Sequence, residues 1–356
     1  MPSEPDPDAR RPRLTPAVAD TRRAVREALA DLPAGSLALV ALSGGPDSLA
    51  LAAAAGFEAP RLGLRAGAVI VDHGLQPDSA AVALRAAAAA RALGLEPLQI
   101  ERVRVEQFGV IDPVSGDAHI RGGAGGPEGA ARAARYAALE TAAVELGAAA
   151  VLLGHSLDDQ AETVLLGLAR GSGTLSIAGM APVAGLYLRP LLGLRRATLA
   201  QACADQGLEP WHDPHNSDER FARVRVRRRI LPMLEEHLDA GIVEALARTA
   251  AIAREDAEAL DHMVDEIAEE LTDLAEGGCS LTVAGLTANP PAIRHRLIRL
   301  VVRTEFGVSI SRAQTLEVAR LATDWHGQGP VHLPGVRVER IAGLIIFALA
   351  PDHAEE

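Results

Sequence analysis

The sequence contains no lysine, and all 35 of its basic residues are arginine. A phosphate-binding loop of the Walker type requires Gly-Lys-Ser/Thr, so this class of nucleotide site is excluded. Any nucleotide phosphate would have to be bound by backbone amides and arginine side chains.

Only two cysteines are present, Cys203 and Cys279, and they lie far apart in the sequence. This spacing argues against a Cys-x-x-Cys metal site and against a disulfide framework. Two isolated thiols fit buried, unreactive side chains in a reducing compartment. We therefore expect a cytoplasmic protein.

Long apolar runs and aromatic residues are also scarce. No run approaches the roughly 18 residues of a membrane span, and the N-terminal residues mix prolines with both signs of charge, unlike a signal peptide. With 48% apolar but only 3% aromatic residues, the alanine-heavy composition favours a helix-rich α/β protein. The net charge of −12 argues against a surface that coats nucleic acid throughout, but it allows a local basic patch.

The length of 356 residues predicts more than one domain. We expect residues 1–15, which are rich in proline and charge, to be disordered. Residues 16–230 alternate strand-like apolar runs with helical segments, which predicts a doubly wound parallel sheet with crossover helices. Residues 231–356 are predicted to form a smaller, mostly helical region with a β-hairpin, which we expect to contact an RNA substrate.

A glycine-rich segment dominates the first domain. The apolar run 37–42 predicts a strand buried on both faces, and Ser43-Gly44-Gly45-Pro46-Asp47-Ser48 follows it directly. Two glycines allow positive φ and close approach to a ligand, while Asp47 and Ser48 lie where a helix needs its cap and acidic first turn. The free amides of such a turn bind anions, which makes a nucleotide phosphate the obvious ligand. A plain helix cap after a tight turn is the alternative.

Further polar residues follow other predicted strands, at His73 and at His155 with Asp158 and Asp159. Open α/β sheets bind ligands beyond the carboxyl ends of their strands, so we expect these segments and Asp47 to converge on one crevice. A carboxylate there could be a general base or a Mg²⁺ ligand. Asp158 and Asp159 could instead only give the next helix an acidic first turn, and either histidine could be a capping residue.

The run from 220 to 229 contains six arginines with few acidic neighbours in sequence. Arg223 and Arg227 are four residues apart and share one helix face. Unpaired arginines favour contact with RNA phosphates, although an exposed charged helix face is the usual meaning of such a run.

Residues 111–136 interrupt the alternation of strands and helices. Segment 111–129 is rich in glycine and proline and could be a lid over the site or a tolerated insertion. Arg132, Arg135 and Tyr136 follow it. They could stack on or clamp a splayed nucleotide of an RNA, or they could form a polar stripe on a helix.

Taken together, these segments resemble the bacterial tRNA(Ile)-lysidine synthases, a family of PP-loop ATP pyrophosphatases with an adenine nucleotide alpha hydrolase-like fold. The resemblance covers roughly residues 36–235, with a Leu-Pro-Gly hairpin at 333–335. The matching motifs, in order, are Ser-Gly-Gly-Pro-Asp-Ser (43–48), Asp-His-Gly-Leu (72–75), Ala-Ala-Arg-x-Ala-Arg-Tyr (130–136), His-Ser-Leu-Asp-Asp-Gln-Ala-Glu-Thr (155–163), Arg-Gly-Ser-Gly (170–173), Arg-Pro-Leu-Leu (189–192) and Asp-Pro-x-Asn-x-Asp-x-x-Phe-x-Arg-x-x-x-Arg (213–227).

The resemblance implies a ligase that joins free lysine to C2 of the wobble cytidine in the isoleucine tRNA with a CAU anticodon. ATP would be cleaved to AMP and pyrophosphate through an adenylated cytidine. ATP and Mg²⁺ are the implied cofactors, and tRNA and lysine the implied partners; a homodimer is left open. The alternatives are a PP-loop tRNA thiolase, which the two distant cysteines disfavour, and a non-catalytic nucleotide-binding protein associated with RNA.

On the matched motifs, four groups of site residues are expected. They are the nucleotide-binding residues Ser43, Gly44, Gly45, Pro46, Asp47, Ser48 and His73; the catalytic candidates Asp47, Asp158, Asp159 and His155; the Mg²⁺ ligands Asp47 and Asp159; and the tRNA-contacting residues Arg132, Arg135, Tyr136, Arg223 and Arg227.

Overall fold

A computed structural model describes residues 14–72, 74, 78–103, 126–171, 173–211, 213, 217–275 and 278–350. His73 lies outside these ranges, as do nearly all of the segments 1–15 and 111–129, on which we made predictions. The chain divides into two compact units, Met1–Ala253 and Arg254–Glu356. Our prediction that the catalytic domain ends at residue 230 stays a prediction.

The first unit alternates strands and helices, as the sequence predicts. Its elements in chain order are α1 (Pro16–Leu29), β1 (Leu37–Ala41), α2 (Pro46–Glu58), β2 (Arg65–Asp72), α3 (Ser79–Ala92), β3 (Leu98–Arg102), α4 (Gly126–Leu146), β4 (Ala148–Leu152), α5 (Leu157–Arg170), α6 (Thr174–Ile177), β5 (Val183–Ala184), β6 (Tyr187–Leu188), α7 (Arg196–Asp205), α8 (Ala222–Arg225) and α9 (Leu231–His237). Short 3₁₀-helices occupy Ala59–Leu62 and Pro190–Gly193, and a π-helix occupies Val226–Ile230. Helix α10 (Ile242–Leu271) contains the boundary between the units.

Six strands form one sheet in the order β3-β2-β1-β4-β6-β5. All neighbouring strands are parallel except β5, which pairs antiparallel with β6. The predicted α/β fold with a parallel sheet is thus confirmed, with one antiparallel edge strand that the sequence did not reveal.

The central strand β1 is buried on both faces because helices cover both sides of the sheet. Ala38 and Val40 belong to an apolar cluster that includes residues of α1, α2 and α7. Leu37 and Leu39 point the other way, into a cluster with Tyr136 of α4. Alternate residues of a strand face opposite sides of a sheet, so a continuous apolar run was the correct signal for this strand.

The second unit is not mostly helical, which corrects our prediction. Its further elements are β7 (Thr272–Ala275), β8 (Gly278–Thr282), α11 (Val283–Ala288), α12 (Pro291–Phe306), α13 (Arg312–Thr323), β9 (Val331–Leu333), β10 (Val336–Ile341) and β11 (Leu344–Leu349). The five strands form an antiparallel sheet in the order β7-β8-β11-β10-β9. Its buried residues, such as Leu281 and Phe347, share a core with α12 and α13. The predicted hairpin at Pro334-Gly335 is confirmed as the β9–β10 pair.

Helix α10 explains the error. It ends at Leu271, and the next four residues, Thr272–Ala275, form the strand β7, which the prediction of a mostly helical region did not include. Along the stretches that the structure describes, no helix has both the length and the apolar character needed to cross a membrane.

Candidate active site

A cavity of about 730 Å³ lies at the carboxyl edge of β1, β2 and β4. The glycine loop after β1 and His155 after β4 both line it, as predicted for an open α/β sheet. Asp72, the neighbour of His73, lines the cavity at the end of β2. Other lining residues come from later in the chain and include Arg196 and Trp211.

The glycine loop is held by its own hydroxyl groups and by a close neighbour. The Ser48 hydroxyl donates to the Gly45 carbonyl at 3.0 Å and accepts from the Ser43 amide at 3.3 Å. A Cβ atom on Gly154, after β4, would lie 3.2 Å from the Ser48 nitrogen. The end of β4 thus packs directly on the first turn of α2, whose amides are available to an anion.

The two glycines of the loop differ in conformation. Gly44 has φ +82°, whereas Gly45 has φ −73° as the N-cap of α2. Our prediction that both glycines supply positive φ is therefore wrong for Gly45. Only Gly44 occupies a backbone region that side-chain-bearing residues rarely adopt.

We expect Gly44→Ala to lower the free energy of unfolding by about 1 kcal/mol because of this left-handed φ. The matched variant Gly45→Ala should lose less, because its φ is not left-handed and the nearest atom to its new Cβ would be Ser43 Oγ at 3.6 Å; what it loses is the better capping preference of glycine over alanine. Urea unfolding of both variants measures the difference. Equal losses would show that space, and not backbone conformation, selects glycine here.

Asp47 lies in the first turn of α2 and faces the cavity. Its Oδ2 is 3.5 Å from Nε of Arg196, while its buried Oδ1 has no hydrogen-bond partner among the described residues. Burial raises the pKa of Asp47 to about 6; Arg196 opposes this shift and the carboxylate of Asp159 adds to it. A carboxylate with this pKa is a competent proton acceptor near neutral pH.

Asp159 is arranged differently, because its oxygens are already bonded. Ser156 and Asp159 form a capping box at the start of α5, in which the Ser156 amide and hydroxyl both donate to Oδ2 at 2.8 Å. Oδ1 accepts from Nη2 of Arg196 at 2.8 Å. Burial alone would raise the pKa of Asp159, but the guanidinium groups of Arg196 and Arg223 outweigh it and hold that pKa below its ordinary value.

Glu162, three residues later on α5, is fully buried and sits among three arginines. It accepts from Nε of Arg223 at 2.8 Å and from Nε of Arg227 at 2.6 Å, and Nη1 of Arg196 lies at 3.4 Å. We call Glu162 with these three arginines the Glu162 cluster. It forms one wall of the cavity through Arg196 and Arg227.

The contacts in this cluster contradict the argument by which we assigned Arg223 and Arg227 to tRNA contact. Both side chains are paired and largely buried, and they point to α5. The assumption that the arginines are unpaired is wrong, because the acidic partner lies 61 and 65 residues away in sequence. Their shared helix face was predicted correctly.

Asp158 does not line the cavity. Its Oδ2 accepts from the Arg196 amide at 2.7 Å, so it caps α7, and its Oδ1 is 3.3 Å from Nε of Arg195. These contacts tie α5 to α7. The structure thus supports a positioning role for Asp158 over direct contact with a substrate.

His155 lines the cavity, with its Nδ1 buried and unpartnered among the residues described. Burial lowers the pKa of His155 to about 3, although the nearby Asp159 carboxylate opposes this shift. Burial therefore favours the neutral imidazole.

The three residues of α4 that we predicted to contact tRNA have different surroundings. Arg135 lines the cavity, and burial lowers the pKa of its guanidinium. Tyr136 is fully buried and packs edge-on against Tyr187, with ring centroids 5.1 Å apart. Because both faces of the ring are inside the protein, the structure does not place Tyr136 where it could stack on a nucleotide. The guanidinium of Arg132 lies 5.0 Å from the Tyr136 ring.

The residues of the site that sequence reasoning missed include Glu162, Arg196 and Trp211. Glu162 follows Asp159 by three positions, a spacing that shares a helix face and could have identified it. The Trp211 amide donates to the Gly44 carbonyl at 2.9 Å, which pins a distant segment to the glycine loop. Neither this contact nor the position of Arg196 has a signal in the local sequence.

Comparison with known proteins agrees with this architecture. The PP-loop domain family matches residues 18–234, and the TilS substrate binding domain family matches residues 281–342. The fold of the U34-tRNA thiolase NcsA from Methanococcus maripaludis, solved with its [4Fe-4S] cluster, is similar with a TM-score of 0.53 at 18% identity, over 66% of this chain and 78% of that one. At this identity the likeness concerns the fold alone.

Three relatives are much closer in sequence. This chain is 60% identical over 317 residues to the tRNA(Ile)-lysidine synthase of Leifsonia xyli subsp. xyli, which is 89% of this chain and 91% of that protein. The corresponding enzyme of Thermobifida fusca is 52% identical, over 90% and 94% of the two chains. That of Streptomyces coelicolor is 50% identical, over 88% and 85%. With this identity along most of its length, the chain belongs to the tRNA(Ile)-lysidine synthase family.

Proposed function

We propose that this protein joins free lysine to C2 of the wobble cytidine in the isoleucine tRNA with a CAU anticodon, consuming ATP and releasing AMP and pyrophosphate. The observation that carries the proposal is the cavity at the strand ends. There an amide-rich loop for phosphates lies beside a carboxylate whose pKa is raised to about 6.

The glycine loop and the first turn of α2 are suited to bind the phosphates of ATP. Their backbone amides would hold the nucleotide and the leaving pyrophosphate. Since the chain has no lysine, side-chain positive charge must come from arginines such as Arg196 and Arg228, both of which line the cavity. The cavity volume is in the range of small-molecule sites.

Mg²⁺ fits Asp47 better than Asp159. No group of three or more His, Cys, Asp or Glu side chains is placed to hold a metal in the part of the chain that the structure describes. Mg²⁺ bound to nucleotide phosphates needs only one or two carboxylates, and Oδ1 of Asp47 is buried without a partner. Both oxygens of Asp159 are bonded. When bound, Mg²⁺ would supply charge stabilisation to the phosphates.

Asp47 and Asp159 also differ as proton acceptors, because their pKa values are shifted in opposite directions. Lysine attacks only through its neutral amine, whose ordinary pKa is about 10.4, so a base must take a proton. A carboxylate with a pKa of about 6 accepts that proton more readily than one whose pKa is depressed. A carboxylate that coordinates Mg²⁺ is not free to accept a proton, so we assign proton acceptance to Asp47 with Mg²⁺ held at that step by nucleotide phosphates and water. We assign the orientation of Arg196 and Arg227 to Asp159.

A thiolase is the nearest rival on fold grounds, but the cysteines do not support it. Cys203 and Cys279 are both buried, and burial raises their pKa values to about 11 and about 12. A reactive cysteine is a thiolate held in an electropositive, accessible site. Neither thiol has this character.

The decisive experiment supplies ATP, Mg²⁺, radiolabelled lysine and unmodified isoleucine tRNA with a CAU anticodon. We expect label in the tRNA, with AMP and pyrophosphate as products. The matched control changes the wobble cytidine to uridine, which removes the C4 amine and should abolish incorporation. Equal labelling of the uridine tRNA, or ATP consumption without labelling of the CAU tRNA, would contradict the proposal. ATP binding without pyrophosphate release would favour the non-catalytic alternative.

A further inference from the structure

We propose that Arg195 is a positioning residue for the reaction, although it does not line the cavity. Its side chain ties α7 to α9 and α10, and this tie sets how Arg196 and Arg227 meet on Glu162. The inference rests on the proposed function, because it concerns the cavity in which that function takes place. It gives a role in turnover to a residue outside the cavity wall.

Arg195 is the N-cap residue of α7, and its guanidinium contacts three carboxylates. Nη1 donates to Glu244 of α10 at 2.8 Å, and Nη2 donates to Glu235 of α9 at 3.0 Å. Nε lies 3.3 Å from Oδ1 of Asp158 at the start of α5. Burial lowers the pKa of Arg195, but these carboxylates outweigh burial and hold that pKa above its ordinary value. Because the arginine fork presents donors in several directions, one side chain joins four helices.

The helices that Arg195 joins bury their apolar residues in two different clusters. Helices α9 and α10 contribute Leu231 and Val243 to an apolar cluster with residues of α5. The buried residues of α7, such as Leu199, belong to the cluster that α1 and α2 share. Among the residues that the structure describes, the two clusters have no member in common. Apolar packing thus assigns α7 to one cluster and α9 and α10 to the other, and Arg195 connects them.

Each side of this connection carries an arginine of the Glu162 cluster. Arg196 follows Arg195 at the start of α7, and its Nη1 lies 3.4 Å from Oε1 of Glu162. Arg227 belongs to the π-helix that leads directly into α9, and its Nε donates to the same oxygen at 2.6 Å. A shift of α7 against α9 would therefore change the geometry of both contacts. Since Arg196 and Arg227 both line the cavity, the shape of its wall depends on Arg195.

Loss of the Arg195 charge would also replace attraction with repulsion. Asp158, Glu235 and Glu244 all face the one guanidinium, and none of their side chains is more than 39% exposed. Water and salt screen such partly buried charges incompletely. With a neutral side chain at position 195, the three carboxylates would repel one another without the cation between them. This repulsion favours separation of α9 and α10 from α7.

The test measures pyrophosphate release and lysine incorporation by full-length variants at saturating ATP and lysine. Arg195→Gln should lower kcat roughly tenfold, because displacing a group that orients the reactants by about 1 Å can cost up to about 10²-fold, while the KM for tRNA stays unchanged. Glu235→Gln with Glu244→Gln cuts the same tie from the other side and should lower kcat similarly. Both glutamates are partly exposed, so this variant should fold even if Arg195→Gln does not. Arg195→Lys keeps the charge but lacks the fork, so its kcat should be intermediate.

The matched control is Arg26→Gln, which removes an arginine that joins α1 to α2 through its ion pair with Glu58. It should lose stability but keep the wild-type kcat. Calorimetric titration with ATP counts the folded sites of each preparation, so that kcat is expressed per binding site. A wild-type kcat in Arg195→Gln and in the double glutamate variant, or an equal loss in Arg26→Gln, would overturn the inference. If the wild type fails to incorporate lysine, the proposed function fails, but the comparison of pyrophosphate release still decides the role of Arg195.

Discussion

The Glu162→Gln variant should lose turnover by orders of magnitude and about 3 kcal/mol of the free energy of unfolding. Glu162 is fully buried and compensates the charges of Arg196, Arg223 and Arg227. Removing one partner of a buried ion pair is costly because the remaining charge is left without compensation. Here the released guanidinium groups would also leave the wall of the cavity.

A matched control exists in the same unit. Glu58 is equally buried, at 1% exposure, and pairs with Arg26 at 2.8 Å; neither of them lines the cavity. Glu58→Gln should lower stability by a smaller amount, since Arg26 is half exposed, and leave kcat near wild type. Urea unfolding and pyrophosphate release measure the two quantities. Comparable kcat in both variants would show that the Glu162 cluster serves only stability.

The Glu162 cluster also shows where sequence reasoning stops. The spacing of Arg223 and Arg227 fixed their common face, because helical periodicity is local. Their partner could not be found in the same way, since Glu162 is brought to them by the fold across more than 60 residues. The same limit applies to Trp211. Its amide donates to the Gly44 carbonyl, and the fold brings these two residues together although they are far apart in the sequence.

Local sequence patterns predicted burial correctly where a single element determines it. They failed where residues of two elements bury each other. The continuous apolar run of β1 predicted a central strand, which is correct. Tyr136 follows two arginines and suggested a stacking platform, but Tyr187 on a neighbouring strand encloses its ring. In the second unit, β7 is an edge strand of four residues with an exposed Leu274. So weak a pattern could not be distinguished from the end of α10.

The second large effect concerns Asp47, whose buried carboxylate is an unfavourable feature of the folded protein. Burial raises the pKa of Asp47 to about 6, from an ordinary value near 4. The ionised form therefore costs stability, and about 3 kcal/mol is the upper bound for a shift of this size. Such groups persist at sites where their chemistry is needed.

Asp47→Asn should consequently be more stable than the wild type, with a defined pH dependence. The raised pKa means that the folded state binds the proton more tightly than the unfolded state. The wild type keeps this contribution below about pH 4 and loses it as the pH rises through about 6. The stability advantage of Asp47→Asn should thus be absent at pH 4 and complete above pH 6, as urea unfolding at several pH values can measure.

Turnover should change in the opposite direction. Asparagine cannot accept a proton and is a weaker Mg²⁺ ligand, so Asp47→Asn should lower kcat by about 10² to 10⁴. In the wild type, turnover should fall as the pH falls through about 6, where Asp47 becomes protonated. The contrasting variant is Asp158→Ala, which removes the acceptor for the Arg196 amide at the start of α7 and should cost about 1 kcal/mol of stability with a much smaller loss of kcat. A destabilised Asp47→Asn, or one that retains turnover, would contradict both the burial of this carboxylate as the cause of its pKa and its assignment as the proton acceptor.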